Sequence, residues 1–294
     1  MRKSIFAGLC LLFAAACSTE NETPVFDDQA VAQVTVHTSG FEVSQQDFSG
    51  TRATAVGDYT AVKMLTLAFY RVSDGTEVYK HTQNRDDNTT FTTFGQFSCY
   101  LPIGNYTMVV LANAGNNEIT LTSPTQASWG TNNVMDTFVK TQAVNITSTS
   151  AVNLNATLER IVSAVAVQST DVRPAGVTHM RFTFSAGGKN FNPTTGLATS
   201  NTGFVTTMSY TADPGSTTYT GGLLFLVTNE QTINVTIETL DAADGNVLFS
   251  KTITDVPLMR NRITTLTGSI YSALASSGSF QINSDWLGST NINF

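Results

Sequence analysis

The sequence predicts an all-β fold, two β-sandwich domains in tandem, and three observations carry that prediction. Apolar residues recur at every second position over short runs. Turn-forming groups such as Asp74-Gly75, Asp213-Pro214-Gly215 and Asp244-Gly245 separate those runs. No segment repeats its apolar residues with the period of a helix. Composition agrees. Of 294 residues, 41% are hydrophobic and 10% aromatic, enough to fill cores. Only 13% are charged, about half the usual share, and Thr, Asn, Ser and Gly make up the difference. Those residues suit polar strand faces and turns.

Residues 1–17 form the most specific local signal. Arg2 and Lys3 precede a short apolar run at 4–13, and Ala14, Ala15 and Ala16 lead to Cys17. The run is too short to cross a bilayer and reads as a cleaved export signal. Its end resembles the lipobox of bacterial lipoproteins, which implies that Cys17 becomes the N-terminus and carries lipid on its sulfur. Each buried methylene of an acyl chain such as palmitate contributes about 0.8 kcal/mol, so two or more chains make a stable anchor. The plain alternative is a secretory peptide with a chance cysteine. Cys10 leaves with the signal and Cys17 is the lipid site, so Cys99 is left without a partner for an intramolecular disulfide. It reads as a small core residue on a strand. Residues 18–30 are acidic and polar and read as a tether.

The first strand follows. Ala32, Val34, Val36 and Thr38 share one face, while Phe41 and Val43 continue on the opposite parity, so a bulge at Ser39-Gly40 is expected to restore the inward face. A polar stretch at 44–59 contains Arg52 and Ala53. Alternation resumes at Leu65, Leu67 and Phe69, then at Val78 and Tyr79, and a turn at 101–106 feeds a strand at 107–112. Residues 123–136 read as a loop, with a short helical turn expected at 131–137. The run 152–167 alternates at Leu154, Ala156, Leu158, Val162 and Ala164. It is expected to be the last strand of a first domain, 31–160, passing directly into a second, 161–294. Arg160 interrupts it and is expected to play a structural part, pairing with a nearby carboxylate or capping carbonyls. Strand signals in the second half fall at 180–184, 203–208, 223–227, 233–237, 247–253, 263–271 and 279–283.

The run VPLMRNRITTLTG at 256–268 resembles the signature of the fimbrillin-like lipoproteins of Bacteroides-type bacteria, which include subunits and anchors of type V pili. Four further features are similar in order and spacing: the lipobox ending at Cys17, Thr51-Arg52-Ala53, Leu101-Pro102-Ile103-Gly104-Asn105-Tyr106, and Leu158-Glu159-Arg160. The ending FQINSDW at 280–286 is also similar to the family's terminal strand. The resemblance implies two immunoglobulin- or transthyretin-like β-sandwich domains. It also implies a lipid-anchored protein on the outer membrane, associated with other fimbrial subunits in a fimbria (pilus) and with an adhesion ligand on a host or bacterial surface. In the family's stalk pilins, a cut after an arginine frees the first strand, and a neighbour's strand fills the groove. Here the cut would fall between Arg52 and Ala53. The excised strand would carry Val34, Val36, Phe41 and Val43, and the C-terminal stretch with Phe280, Ile282, Trp286, Ile292 and Phe294 would be the donor. An uncut anchor or tip subunit, with Arg52 in a solvated loop, stands as the alternative.

The sequence offers no catalytic constellation and implies no cofactor. His37, His81 and His179 lack metal-ligand spacing. The stretch at 185–189 lacks the spacing of a phosphate loop, and no Gly-x-Ser-x-Gly elbow occurs. Asp86-Asp87-Asn88 reads as a solvated turn rather than a calcium loop. Arg260, Asn261 and Arg262 read as strand-entry chemistry. A formal charge of −7 disfavours nucleic acid, and losing Arg2 and Lys3 would leave 13 basic against 22 acidic side chains. A surface glycan-binding lipoprotein is the rival reading, with Trp129 as its stacking platform. Trp286 reads as core.

Overall fold

A computed structural model of the chain describes residues 29–43, 52–54, 59–87, 89, 91–210, 215, 219–271, 281–285 and 290–291. Every regular element among them is a strand. In chain order the first half supplies β1 (Val31–Val43), β2 (Arg52–Thr54), β3 (Met64–Arg71), β4 (Glu77–Asn84), β5 (Gln96–Pro102), β6 (Gly104–Asn113), β7 (Thr120–Ser123), β8 (Gln126–Ser128), β9 (Thr137–Ile146) and β10 (Val152–Arg160). The second half adds β11 (Ser163–Ser169), β12 (His179–Phe184), β13 (Asn190–Asn192), β14 (Leu197–Ala198), β15 (Phe204–Ser209) and β16 (Tyr219–Leu224). It ends with β17 (Glu230–Leu240), β18 (Val247–Met259), β19 (Ile263–Gly268), β20 (Gln281–Asp285) and β21 (Thr290–Asn291).

Eight strands of the first half form one sheet in the order β2-β1-β10-β9-β6-β3-β4, with β5 on β1 beside β2. The sheet curls until β4 approaches β5, where Gln83 Nε2 donates to the Gln96 carbonyl at 2.7 Å. It is a nearly closed, barrel-like wrap rather than two separate sheets. Inside lie Leu65, Leu67 and Phe69 of β3, Tyr106, Met108 and Val110 of β6, and Ala156 and Leu158 of β10. The bulge expected at Ser39-Gly40 is present. The β1–β10 register jumps between Thr38 and Gly40, and Phe41 is thereby turned inward to full burial.

The second half is layered. One sheet runs β16-β11-β19-β20-β21 and the other β15-β12-β17-β18. Val165, Val167, Leu224 and Leu266 of the first meet Met180, Phe182, Phe184, Val235 and Ile237 of the second in a single core. Alternation is clearest in β12, where Met180, Phe182 and Phe184 are buried and the residues between them are not.

A third core joins the halves. Strands β3 and β6 are buried on both faces, and their outer residues Ala68, Tyr70, Val109 and Leu111 pack with Trp129, Ile161, Phe191 and Phe225. A small sheet, β14-β13-β8-β7, covers this core and draws two strands from each half. The Phe191 and Phe225 rings stack within it, 4.3 Å apart.

Two expectations need correction. The run 152–167 is not continuous: β10 stops at Arg160 and β11 begins at Ser163. Between them the chain changes sheets, with Ile161 N donating to the Thr137 carbonyl and Asn261 N to that of Val162. The helical turn at 131–137 is also absent. There Asn133 bridges to another strand, donating through Nδ2 to the Thr207 carbonyl at 3.0 Å and accepting from Thr206 Oγ1 at 2.7 Å. Asn readily makes such side-chain bonds in place of helix.

Candidate strand-exchange groove

The first strand occupies the middle of its sheet. On one side β1 runs parallel to β10, from Val34 opposite Val152 to Glu42 opposite Glu159. On the other it runs antiparallel to β5, from Val31 opposite Pro102 to His37 opposite Gln96. Ala32, Val34, Val36 and Phe41 are all completely buried. Phe41 contacts the rings of Phe138 at 5.0 Å and Tyr59 at 5.5 Å. Without β1 the wrap would have a slot lined by Phe97, Cys99 and Leu101 of β5 and by Ala156 and Leu158 of β10, with backbone groups unpaired along both rims. Such a slot offers ladder bonds and side-chain pockets together, which is what strand addition requires. Val43 closes β1, opposite Arg52; its side chain lies outside the description.

Arg52 and Ala53 do not lie in an open loop. They begin β2, a three-residue edge strand on β1, with Arg52 opposite Val43 and Ala53 opposite Glu42. A hydrogen-bonded edge already has the extended form of a protease substrate, and it is short enough to peel away.

Just downstream the chain is tied to the body at Tyr59. Its hydroxyl accepts from Arg160 Nη2 at 2.8 Å and donates to Asp136 Oδ2 at 3.2 Å. Arg160 holds Asp136 through two charge-assisted bonds, Nε to Oδ1 at 2.8 Å and Nη2 to Oδ2 at 2.9 Å. The Arg160 side chain is 5% exposed, and its guanidinium stacks over the Phe138 ring at 4.7 Å. Burial raises the Tyr59 pKa, and the Asp136 charge adds to the effect. The carboxylate partner expected for Arg160 is therefore Asp136.

The same junction unites two motifs that look independent in the sequence. Glu159 accepts from Arg260 Nη2 at 3.1 Å, and Arg160 Nη1 reaches Asn261 Oδ1 at 3.4 Å. Asn261 has a φ of 59°, a left-handed conformation that Asn tolerates, in the tight connection between β18 and β19. The strand-entry role expected of 260–262 therefore also locks the halves together. Complementary charge in Leu158-Glu159-Arg160 and Met259-Arg260-Asn261-Arg262 is the signal that pairs them.

The candidate donor segment is described only in part. β20 lies antiparallel on β19, with Ile282 opposite Leu266, and β21 follows it at the edge. Phe280, Trp286, Ile292, Phe294 and Cys17 lie outside the described residues.

Trp129 is not a stacking platform. It is 1% exposed in the core that joins the halves, and its indole nitrogen donates to Thr137 Oγ1 at 3.2 Å. The expectation failed because the loop folds back under β13, where Trp129 N donates to the Lys189 carbonyl. Cys99 is a core residue, and burial pushes its thiol up to about 12. Asp86 pairs with Lys63 at 3.1 Å, and Asp87 accepts from Thr89 within the turn. Among the described residues no three His, Cys, Asp or Glu side chains cluster as metal ligands do, and no helix is long and apolar enough to cross a membrane.

No curated protein matches the sequence. Several solved structures are similar to the chain in part. A candidate adhesin from Bacteroides ovatus superposes with a TM-score of 0.52 at 11% identity, covering 87% of this chain and 96% of its own. The fimbrial anchor protein Mfa2 from Porphyromonas gingivalis gives 0.48 at 12% identity over 88% of this chain and 100% of its own. A candidate polysaccharide-binding protein from Bacteroides thetaiotaomicron gives 0.47 at 12% identity, over 89% and 98%. Over residues 28–292 the sequence matches the model of a family of unknown function, DUF6562, and the chain belongs to that family.

Proposed function

We propose that the protein is a structural subunit, tip or anchor of a cell-surface fimbria, held on the outer membrane by lipid on Cys17 and assembled by strand exchange with other fimbrial subunits. Its role is adhesion, and no catalytic step belongs to this reading. One observation carries it: β1 is a central strand with four completely buried side chains, joined to the body through β2, where Arg52 lies. A cut after Arg52 would make that strand removable without breaking the rest of the chain. The leader, the motif at 256–268 and a fold shared with a candidate adhesin support the same reading. On this view each half is a sandwich of the immunoglobulin or transthyretin kind, the wrapped sheet being one such sandwich lacking a clean edge. The glycan-receptor rival has lost its specific support with the burial of Trp129.

The test is incubation of the folded lipoprotein with a trypsin-like protease, followed by N-terminal sequencing and recovery of partner subunits. A new terminus at Ala53 and co-purifying subunits are expected. A chain that stays intact, or that is cut elsewhere first, would remove the strand-exchange reading.

A further inference from the structure

The seat of β1 and the joint between the two halves draw on one cluster of side chains. Phe41, near the C-terminal end of β1, stands 5.0 Å from the Phe138 ring and 5.5 Å from that of Tyr59, and those two rings meet edge-on at 5.7 Å. Arg160 closes the cluster from the other side. Its guanidinium lies over Phe138 at 4.7 Å and donates to the Tyr59 hydroxyl at 2.8 Å, so both rings that touch Phe41 also touch Arg160. The same guanidinium reaches Asn261 Oδ1, 3.4 Å away in the connection between β18 and β19. A buried side chain of the first strand is thereby linked, through two rings and one arginine, to a turn of the second half.

The joint itself is closely packed. Where the chain crosses, Ile161 N donates to the Thr137 carbonyl at 3.0 Å and Asn261 N to that of Val162 at 2.8 Å. Arg260 bonds Glu159 through Nη2 at 3.1 Å and the Thr195 carbonyl through Nη1 at 3.0 Å. Gly196 beside it has a φ of 69°, and a Cβ there would stand 2.7 Å from Ile161 Cγ2 and 2.9 Å from Arg260 Nη1. With so little slack, a displaced Arg160 shifts its neighbours rather than settling into free space. The core of Trp129, Phe191 and Phe225 joins the halves independently of Arg160. A loosened joint therefore means freer motion at 160–162 and 260–262, not separation of the halves.

We infer that filling the first-strand seat stiffens the joint: a large apolar side chain at the position of Phe41 holds Tyr59 and Phe138, these fix Arg160, and Arg160 holds the β18–β19 turn against the first half. Phe41 and Arg160 are positioning residues in this device. The inference rests on the strand-exchange reading and adds a consequence to it. A subunit whose seat is empty is loose at the joint, and any strand that fills the seat makes the two halves one stiff body. Its test uses the uncut chain with β1 in place, so it can fail while strand exchange stands, and strand exchange can fail while it stands.

The experiment is amide hydrogen exchange on the full mature chain, reading Ile161 and Asn261 at the joint against the amides of β12 as an internal reference. Phe41→Ala is expected to speed joint exchange at least about tenfold relative to β12. Phe41→Leu, which keeps much of the bulk and serves if Phe41→Ala does not fold, should speed it about threefold. Val34→Ala empties a completely buried site in the same strand, about 23 Å away along β1 at the rise of a strand. It should leave the ratio of joint to β12 exchange within about twofold of the parent. Asn261→Gly keeps the left-handed turn and removes the bond from Arg160. In that background Ile161 should already exchange fast, and Phe41→Ala should add less than about twofold. Equal acceleration by Phe41→Ala and Val34→Ala would overturn the inference and mark Phe41 as an ordinary core contact. So would independent, multiplying effects of Phe41→Ala and Asn261→Gly, or a joint that keeps its full protection in Phe41→Ala.

Discussion

The two strands that strand exchange would move, β1 and β20, are held in opposite ways. β1 is central, paired with β10 on one side and with β5 and β2 on the other, and four of its side chains are completely buried. β20 has β19 on one side and the two-residue β21 on the other, near the rim of its sheet. Each large apolar side chain that β1 buries contributes about 1.5–3 kcal/mol, and together they rival the whole stability of a typical domain. So β1 cannot leave spontaneously. Were a covalent cut to remove it, the empty slot would bind a replacement strand strongly. β20 lacks that second long ladder and can trade places at a modest cost.

The sharpest way to break this contrast is to remove each strand. Deleting 31–43 should leave the first half unfolded unless a strand is supplied, whereas deleting 281–294 should leave one cooperative unfolding transition. Circular dichroism melts of both deletions would show it, and equal behaviour would erase the distinction. Within β1, Phe41→Ala should cost about 3–5 kcal/mol in chemical denaturation, because it empties the space between Phe138 and Tyr59. Arg160→Ala should cost about 3 kcal/mol by leaving Asp136 unpaired in a largely buried site, and the loss should be smaller in Arg160→Ala/Asp136→Ala. Near the other end, Tyr271→Phe removes one hydroxyl bond to Tyr210 and should cost about 1 kcal/mol.

A pH series sharpens the comparison further. Burial works against ionisation of Asp171, but the bonds from Ile270, Ser169, Ser269 and Tyr271 outweigh it and hold the carboxyl down at about 2. The folded value lies below the unfolded one, so this contribution is complete above about pH 4 and is lost as pH falls toward 2. Melts of parent and Asp171→Asn should therefore differ most above pH 4 and converge near pH 2. A gap that widens on acidification would contradict the assignment.

Much of the fold was legible because period-two alternation maps directly onto a half-buried strand. β1, its bulge and β12 follow from that rule, since one face of each meets a core and the other does not. The rule weakens where both faces are buried. β3 and β6 pack a core on each side, so their sequences say strand but not that a second core waits outside. That outer core is why Trp129 misled. An aromatic in a loop looks exposed until a strand from the other half is known to cover it. The two ion-paired motifs at the junction were each visible, yet their meeting spans about a hundred residues, a separation that local pattern cannot bridge. Asp171 was invisible for the same reason, because its partners Ser269, Ile270 and Tyr271 arrive only after β19.

Cys99 provides the most direct test of the central claim. It faces the core beside Val34, its cross-strand partner in β1, and burial pushes its thiol up to about 12. In a chain beginning at residue 18 it is the sole thiol. The measurement is maleimide labelling at neutral pH before cleavage at Arg52, after cleavage and removal of β1, and after addition of a peptide of residues 279–294. The account predicts no labelling, rapid labelling, and protection restored by the peptide. Cys99 that labels equally in all three states, or that remains blocked after β1 has gone, would contradict it.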